Sequence, residues 1–445
     1  MQALKIAFAP LARTTFDMEL AHEKIAAFNA ALGEQGFDVT GAPQPLTDAA
    51  QVQARASEFA GQAFDLLLVF QATFADSTMV TALAEAVDAP VFLWAIPEPT
   101  TGGRLRLNSL CGVNLAAHAL TLRKKPYEYF YGAPDDAQGF ERLQAVAAAG
   151  RARRLLRTAR LAVVGEHPAG MDTCHLDAEG LQARLGVEVE QVALPAVFAR
   201  VHQVPETVTA QVQAGLAQRV AGLEELDQAA LARSLGVYTT LKEIVAEQAY
   251  DGLAVRCWPE FFTELGCAAC GPMSLLTSEN TPCSCEADIN GTVTQFMLQA
   301  LSGEVAFGTD IVSVDCEADE IVFWHCGLAP LQMADPEVQP HATIHTNRKL
   351  PLLMEFPLKP GPVTVARLSQ ATGELRLVIG RAEMLRRPKS FSGTSGVVRF
   401  ERPAEAVLDT LIREGLEHHV SLTYGDHYAA LKLLAGWLGL PVLEL

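Results

Sequence analysis

The chain has no uninterrupted apolar run of the ~18 residues that a membrane-crossing helix requires. Met1 leads straight into the strand-like "LKIAFAPL", without the basic and apolar regions of a signal peptide, so the expectation is a cytoplasmic protein with no membrane partner. A surplus of basic residues is missing too: 34 Lys and Arg stand against 52 Asp and Glu, for a formal charge of −18. A phosphate backbone is repelled by such a balance unless a basic patch is locally concentrated. The one dense basic run, "RARRLLRTAR" (Arg151–Arg160), carries Leu155, Leu156 and Ala159 at helical spacing and reads as the solvated face of a linker helix. Nucleic acid is therefore not an expected partner. "GEHPAG" (Gly165–Gly170) lacks the glycine spacing of a dinucleotide fingerprint, and neither a solenoid repeat nor a low-complexity tract occurs. The nine cysteines are odd in number, which suits reduced thiols better than a disulfide framework.

What is present is length and alternation. At 445 residues the chain suffices for two or three domains with their own cores. "KIAFAPL", "DLLLVF" (Asp65–Phe70) and "PVFLWAI" (Pro90–Ile96) read as buried strands, with helices at Glu19–Leu32 and Met79–Val87 between them, the mark of a parallel sheet covered on both faces. The pattern restarts at "RLAVV" (Arg160–Val164), with a helix near Asp177–Leu185 and strands at "VEVEQVAL" and "YDGLAVRCW" (Tyr250–Trp258). Past residue 305 the texture turns to alternating residues and short turns. "TDIVSVD" and "EIVFWHCG" form a hairpin, Pro362–Leu385 gives strands broken at "ATGE", and "HHVSLTYGDH" is a strand running into a helix at Tyr428–Leu438. The expected fold class is α/β: two Rossmann-like parallel-sheet domains, 1–154 and 155–304, followed by a β-rich C-terminal domain, 305–445.

"GCAACGPMSLLTSENTPCSCEADINGT" (Gly266–Thr292) gathers Cys267, Cys270, Cys283 and Cys285 within nineteen residues. Four thiolates at this spacing approach a structural zinc site, although C-x-C is a poor half-site for a tetrahedral ion. Small buried thiols packing a tight turn are the other reading. After "CEAD", the residues Val293, Phe296, Met297, Ala300 and Leu301 form one apolar helical stripe. Glu286 and Asp288 thus sit just ahead of a buried helix, where the macrodipole favours a carboxylate and where helix-start chemistry alone would also place them.

The hairpin adds partners for Glu286. A four-residue turn at Cys316–Asp319 pairs Asp315 with Glu320, and the same register brings Asp310 opposite His325. Two carboxylates with one or two imidazoles make an oxygen-rich site suited to Mn²⁺ or Mg²⁺. "LEHHVSLTYGDH" offers His418, His419 and His427; along a strand the first two point to opposite faces, so at most one enters a given site.

Together "RCWPEF" (Arg256–Phe261), "CEADINGTVTQFMLQALSG" (Cys285–Gly303), "TDIVSVD", "WHCGLAP" (Trp324–Pro330), "SGTSG" (Ser392–Gly396), "EHHVSLTYGDH" and the opening "PLARTTFD" (Pro10–Asp17) resemble the L-fucose/L-arabinose isomerase family, in particular its shorter fucose-isomerase-like members. The resemblance implies an aldose–ketose isomerase working through a cis-enediol with a divalent metal, usually Mn²⁺, with Mg²⁺ or Co²⁺ as substitutes. It places the metal on Glu286, Asp310 and His419, with His418 as the other candidate for the C-terminal ligand and His325 as an additional histidine of the arabinose branch. Glu286 and Asp310 would also be the acid/base pair. Arg256 would orient a substrate hydroxyl or anionic group, unless it is spent on an ion pair with Glu260. Oligomeric active sites, in a trimer or hexamer, would let "PLARTTFD" of one chain line another's site, which makes Arg13 a second substrate-binding candidate. The substrate is expected to be a pentose, a 6-deoxyhexose or a modified hexose. An epimerase or carbon–carbon lyase could use the same metal site, and a non-catalytic sugar-binding protein could use the same paired α/β domains.

Overall fold

A computed structural model describes residues 3–445, which divide into two compact units meeting between Arg154 and Leu155. In the first, strands β1 (Lys5–Leu11), β2 (Asp38–Thr40), β3 (Leu66–Gln71), β4 (Val91–Ala95) and β5 (Tyr127–Tyr131) form one parallel sheet in the order β2-β1-β3-β4-β5. The central β3 and β4 are buried at every position, as uninterrupted apolar runs require when helices cover both faces. Asp17, Asp48 and Asp76 cap the helices Met18–Gly33, Ala49–Phe59 and Ser77–Ala86 by accepting backbone N–H groups of their first turns.

The basic run is in part turned inward, with Arg157 left exposed. It falls at the end of the helix Ala137–Leu156, where Arg151 is buried and Arg154 binds Asp65 Oδ1 through two nitrogens at 2.7 and 3.0 Å. Asp65 is itself buried beside β3, so the positive charge is drawn inward to neutralise it.

The second unit starts with a smaller parallel sheet, β6 (Arg160–Val164), β7 (Glu188–Val192), β8 (Gly252–Val255) and β9 (Cys283–Ser284), in the order β7-β6-β8-β9. Beyond it run β10 (Phe307–Asp315), β11 (Glu320–His325), β12 (His341–Thr343), β13 (Leu353–Pro357), β14 (Gly361–Ser369), β15 (Arg376–Leu385), β16 (Thr394–Phe400), β17 (His419–Tyr424) and β18 (Val442–Glu444). Their order is β12-β13-β16-β11-β10-β17-β14-β15-β18, and a further pairing of β15 with β16 closes the run from β16 to β15 into an antiparallel barrel. One continuous apolar core joins the small sheet to this barrel.

The helix Ile289–Ser302 lies between them, against β8 on one side and β14 and β17 on the other. It is buried on every face except at Phe296 and Gln299, rather than along one stripe. That burial explains its polar residues: Thr292 donates to the Leu253 carbonyl at 2.9 Å, Gln295 to that of Cys283 at 3.2 Å, and Thr294 accepts the Leu368 N–H at 2.9 Å. Among the described residues no helix is long and apolar enough to cross a membrane.

Candidate active site

Glu286 is delivered by a turn of unusual backbone. After β9 the chain enters a short 3₁₀ turn in which Glu286 (φ 58°, ψ 24°) and Ala287 (φ 57°) both lie in the left-handed region, a conformation costing about 1–2 kcal/mol per non-glycine residue. Two such residues turn the Glu286 side chain off the helix axis, and Asp288 takes over the N-cap, accepting the Gly291 N–H at 3.0 Å. Position 291 must stay glycine for that cap to close, because a Cβ there would lie 2.6 Å from Asp288 Oδ2 and 3.0 Å from Ser284 Oγ. Glu286 then meets Trp258, whose Nε1 donates to Oε1 at 2.9 Å, and His418, whose Nε2 lies 3.2 Å from Oε2. Burial alone would raise the Glu286 carboxyl, but these two hydrogen bonds and the nearby His419 hold it below the usual carboxylate range. His418 is raised in turn, chiefly by its bond to Glu286.

Asp310 and His419 are directly paired across β10 and β17, so their side chains share a face of the barrel. His419 Nδ1 lies 3.0 Å from Asp288 Oδ2, and its Nε2 lies 3.3 Å from Asp310 Oδ1. A carboxylate that accepts Nδ1–H fixes the tautomer and leaves the Nε2 lone pair for a ligand. Asp288 is in turn held by Arg367, a fully buried guanidinium in β14 that also lies 3.8 Å from Glu417. Together with His419 this network keeps the Asp288 carboxyl ionised far below its ordinary range, although burial works the other way.

Two sets of potential ligand atoms therefore meet at His419: Cys174, Glu286 and His419, and Asp310, His325 and His419, each set lying within 4.8 Å. Asp310 Oδ1 is buried without a hydrogen-bond partner, the state expected of an oxygen reserved for a cation. Carboxylates and imidazoles suit Mn²⁺, Mg²⁺ or Co²⁺. The Cys174 thiol is pushed up by burial and by Asp288 and Glu286. Glu286, Asp310, His325, His418 and His419 line one cavity of about 340 Å³, within the usual range of small-molecule sites.

Two sequence expectations are corrected by this geometry. Asp310 stands opposite Trp324, not His325, because a β-bulge at Val312 inserts an extra residue after the pairs Asp315–Glu320 and Ser313–Val322. His325 still reaches the site from the end of β11. His418 and His419 both enter the cavity, their ring centroids 4.0 Å apart, because β17 begins only at His419 and strand alternation does not apply to the residue before it. Arg256 does not line the cavity: it binds both Glu260 oxygens at 2.8 Å and the carbonyls of Glu166 and His167. Arg13 belongs to the first unit, where it pairs with Asp76. The four loop thiols form no ligand group among the described residues. Cys285 faces Cys257 at 2.8 Å and Cys270 faces Cys326 at 3.1 Å, while Cys267 and Cys283 are separately buried.

Trp258, Asp288 in its second role, Arg367, Thr173 and Cys174 went unassigned by sequence reasoning. Arg367 had a readable signal, a lone cation in the apolar strand "VTVARLS". Thr173, whose Oγ1 lies 3.0 Å from His418 Nδ1, had none.

Comparison with known proteins follows the same division. Residues 7–152 match the family described as fucose/sulfoquinovose isomerase, N-terminal domain, and residues 354–445 match L-fucose isomerase, C-terminal domain. The chain is similar to a sulfoquinovose isomerase of Alkalicoccus urumqiensis, 35% identical over 380 residues that cover 85% of this chain and 86% of that protein. It is 32% identical to a sulfoquinovose isomerase of Priestia aryabhattai over 427 residues, 96% of each chain. A third protein of that name, from Clostridium sp. (strain MSTE9), is 31% identical over 380 residues.

Proposed function

The chain belongs to the fucose/sulfoquinovose isomerase family of sugar isomerases, and from that premise we propose that it is a metal-dependent aldose–ketose isomerase for a sugar bearing a sulfonate on its terminal carbon. The observation that carries this reading is that Glu286, Asp310, His325 and His419 line one half-enclosed cavity, with His419 common to the ligand-atom group that contains Glu286 and the one that contains Asp310. Glu286, Asp310 and His419 would hold Mn²⁺, with Mg²⁺ or Co²⁺ as substitutes. When bound, such an ion supplies Lewis-acid stabilisation to the negative charge that develops on two neighbouring sugar oxygens.

The protein's own groups account for the proton traffic. One carboxylate takes the proton from the carbon beside the aldehyde, giving a cis-enediol, and returns it to the former carbonyl carbon. The other moves the hydroxyl proton to the former carbonyl oxygen, so that no atom is gained or lost. Glu286, kept ionised by Trp258 and His418, suits the first task. Asp310, facing it across His419, suits the second. Asp288 holds the His419 ring so that both carboxylates keep their places.

The test is turnover of the sulfonated aldose after stripping with a chelator and adding back Mn²⁺. Isomerisation is expected to vanish on stripping, return with the metal, and fall by about 100- to 10,000-fold in Glu286→Gln with the circular dichroism spectrum unchanged. Turnover that survives either treatment would rule the site out.

A further inference from the structure

The cavity that holds the two carboxylates is lined by one arginine, Arg348, and by no lysine. It sits on the turn that follows β12, among exposed residues. Its guanidinium carbon lies 5.1 Å from the centre of the Trp258 ring and 5.0 Å from that of Phe262. The same Trp258 donates to Glu286, so one indole separates the guanidinium from the carboxylate. Nη1 approaches Nε2 of His345 at 3.1 Å. Burial and the adjacent guanidinium push His345 down to about 4, so the ring beside the arginine is neutral.

Arg348 has no carboxylate partner among the described residues, although acids outnumber bases 52 to 34 in the chain. Other arginines near the site are paired: Arg367 with Asp288, and Arg256 with Glu260. Trp258, Phe262 and His345 hold the plane and one corner of the Arg348 fork, and the remaining donors have no acceptor among the described residues. An arginine stacked and anchored in this way is pre-organised to receive a planar pair of anionic oxygens.

We propose that Arg348 is the specificity-determining residue that receives the sulfonate on the substrate's terminal carbon, while Glu286 and Asp310 work at the opposite end of the sugar chain. This rests on the isomerase reading above. A single guanidinium in a cavity that also carries two carboxylates matches a monoanion; a phosphate dianion would find too little positive charge to replace its hydration. The aromatic floor of Trp258 and Phe262 fits the same assignment, because stacking fixes the plane of the guanidinium and leaves its edge free for an anion.

The test compares kcat/KM for the sulfonated aldose, its uncharged 6-deoxy analogue and the corresponding sugar phosphate, in wild type, Arg348→Gln and Arg348→Lys. The preference of wild type for the sulfonate over the uncharged sugar is expected to shrink about 30- to 100-fold in Arg348→Gln, mainly through KM, with partial recovery in Arg348→Lys. An equal loss for charged and uncharged sugars, an unchanged preference, or a wild-type preference for the phosphate would each overturn the assignment. Should wild type isomerise no sugar, the isomerase reading fails by itself. Calorimetric titration with the sulfonated sugar then decides Arg348 separately: binding weakened by Arg348→Gln supports it, and equal or absent binding overturns it.

Discussion

Asp288 works for three partners with two oxygens: it caps a helix, neutralises Arg367 and orients His419. The left-handed backbone at Glu286 makes this possible, since it frees the cap position for Asp288 and sends the preceding carboxylate into the cavity. Glu98 shows the same economy in the first unit. Its carboxylate accepts the N–H groups of Arg106, Leu107 and Asn108 at 2.5, 2.9 and 2.8 Å, just ahead of the helix Ser109–Leu122. Burial opposes ionisation there, yet these bonds hold the carboxyl below its ordinary value. A lowered folded-state pKa means that the stabilisation is complete above the unfolded value of ~4.3 and is lost as pH falls through the folded one. Glu98→Gln is therefore expected to cost about 1–2 kcal/mol at neutral pH, with the gap between variant and wild type closing below pH ~4. Urea denaturation at both pH values measures this, and a gap that widens in acid would refute it. At this scale the sequence singled out Glu286, Asp310 and His419, which share one cavity, through their surrounding motifs. It concealed Trp258, Arg348 and Arg367, whose partners lie far away in the chain.

At the scale of elements, the hairpin and the strand before the last helix were legible because alternation and turn residues are local signals. The bulge at Val312 was not, because an extra residue in a strand is visible only against its partner. Val312 is 42% exposed and buries little, so its role is to bend β10. Deleting it is expected to straighten the strand, shift Asp310 relative to His419 and weaken Mn²⁺ binding about 10- to 100-fold, with far-UV circular dichroism preserved. Isothermal titration with Mn²⁺ reads the outcome, and wild-type affinity would show the bulge to be incidental. The helix after Glu286 failed as a one-sided amphipathic helix for a related reason: periodicity identified the face with the most carbon, whereas packing between a sheet and a barrel covers all faces.

For the whole molecule, parallel sheets were readable from buried runs, whereas closure of the barrel through β15 and β16 was not, because it pairs strands by shape rather than by pattern. The first unit leaves Tyr129 and Tyr131 of the edge strand β5 about half exposed, with Leu110 and Leu122 on the helix Ser109–Leu122 likewise open. An uncovered edge strand with aromatic residues is a surface that proteins normally protect. The expected state is a trimer or hexamer; size-exclusion chromatography with light scattering tests it, and a monomer at working concentration would overturn it. By itself the sequence determined the fold class and the order of elements, and it singled out the carboxylates and imidazoles that the structure brings to one cavity, because hydrophobic period and residue chemistry are local properties. Only the tertiary structure decided which of them meet. It paired Arg256 with Glu260, brought both His418 and His419 to one cavity, and set Arg348 over the indole that holds Glu286. Such outcomes depend on strand register, barrel closure and competition for partners, all of which are set by residues distant in the chain.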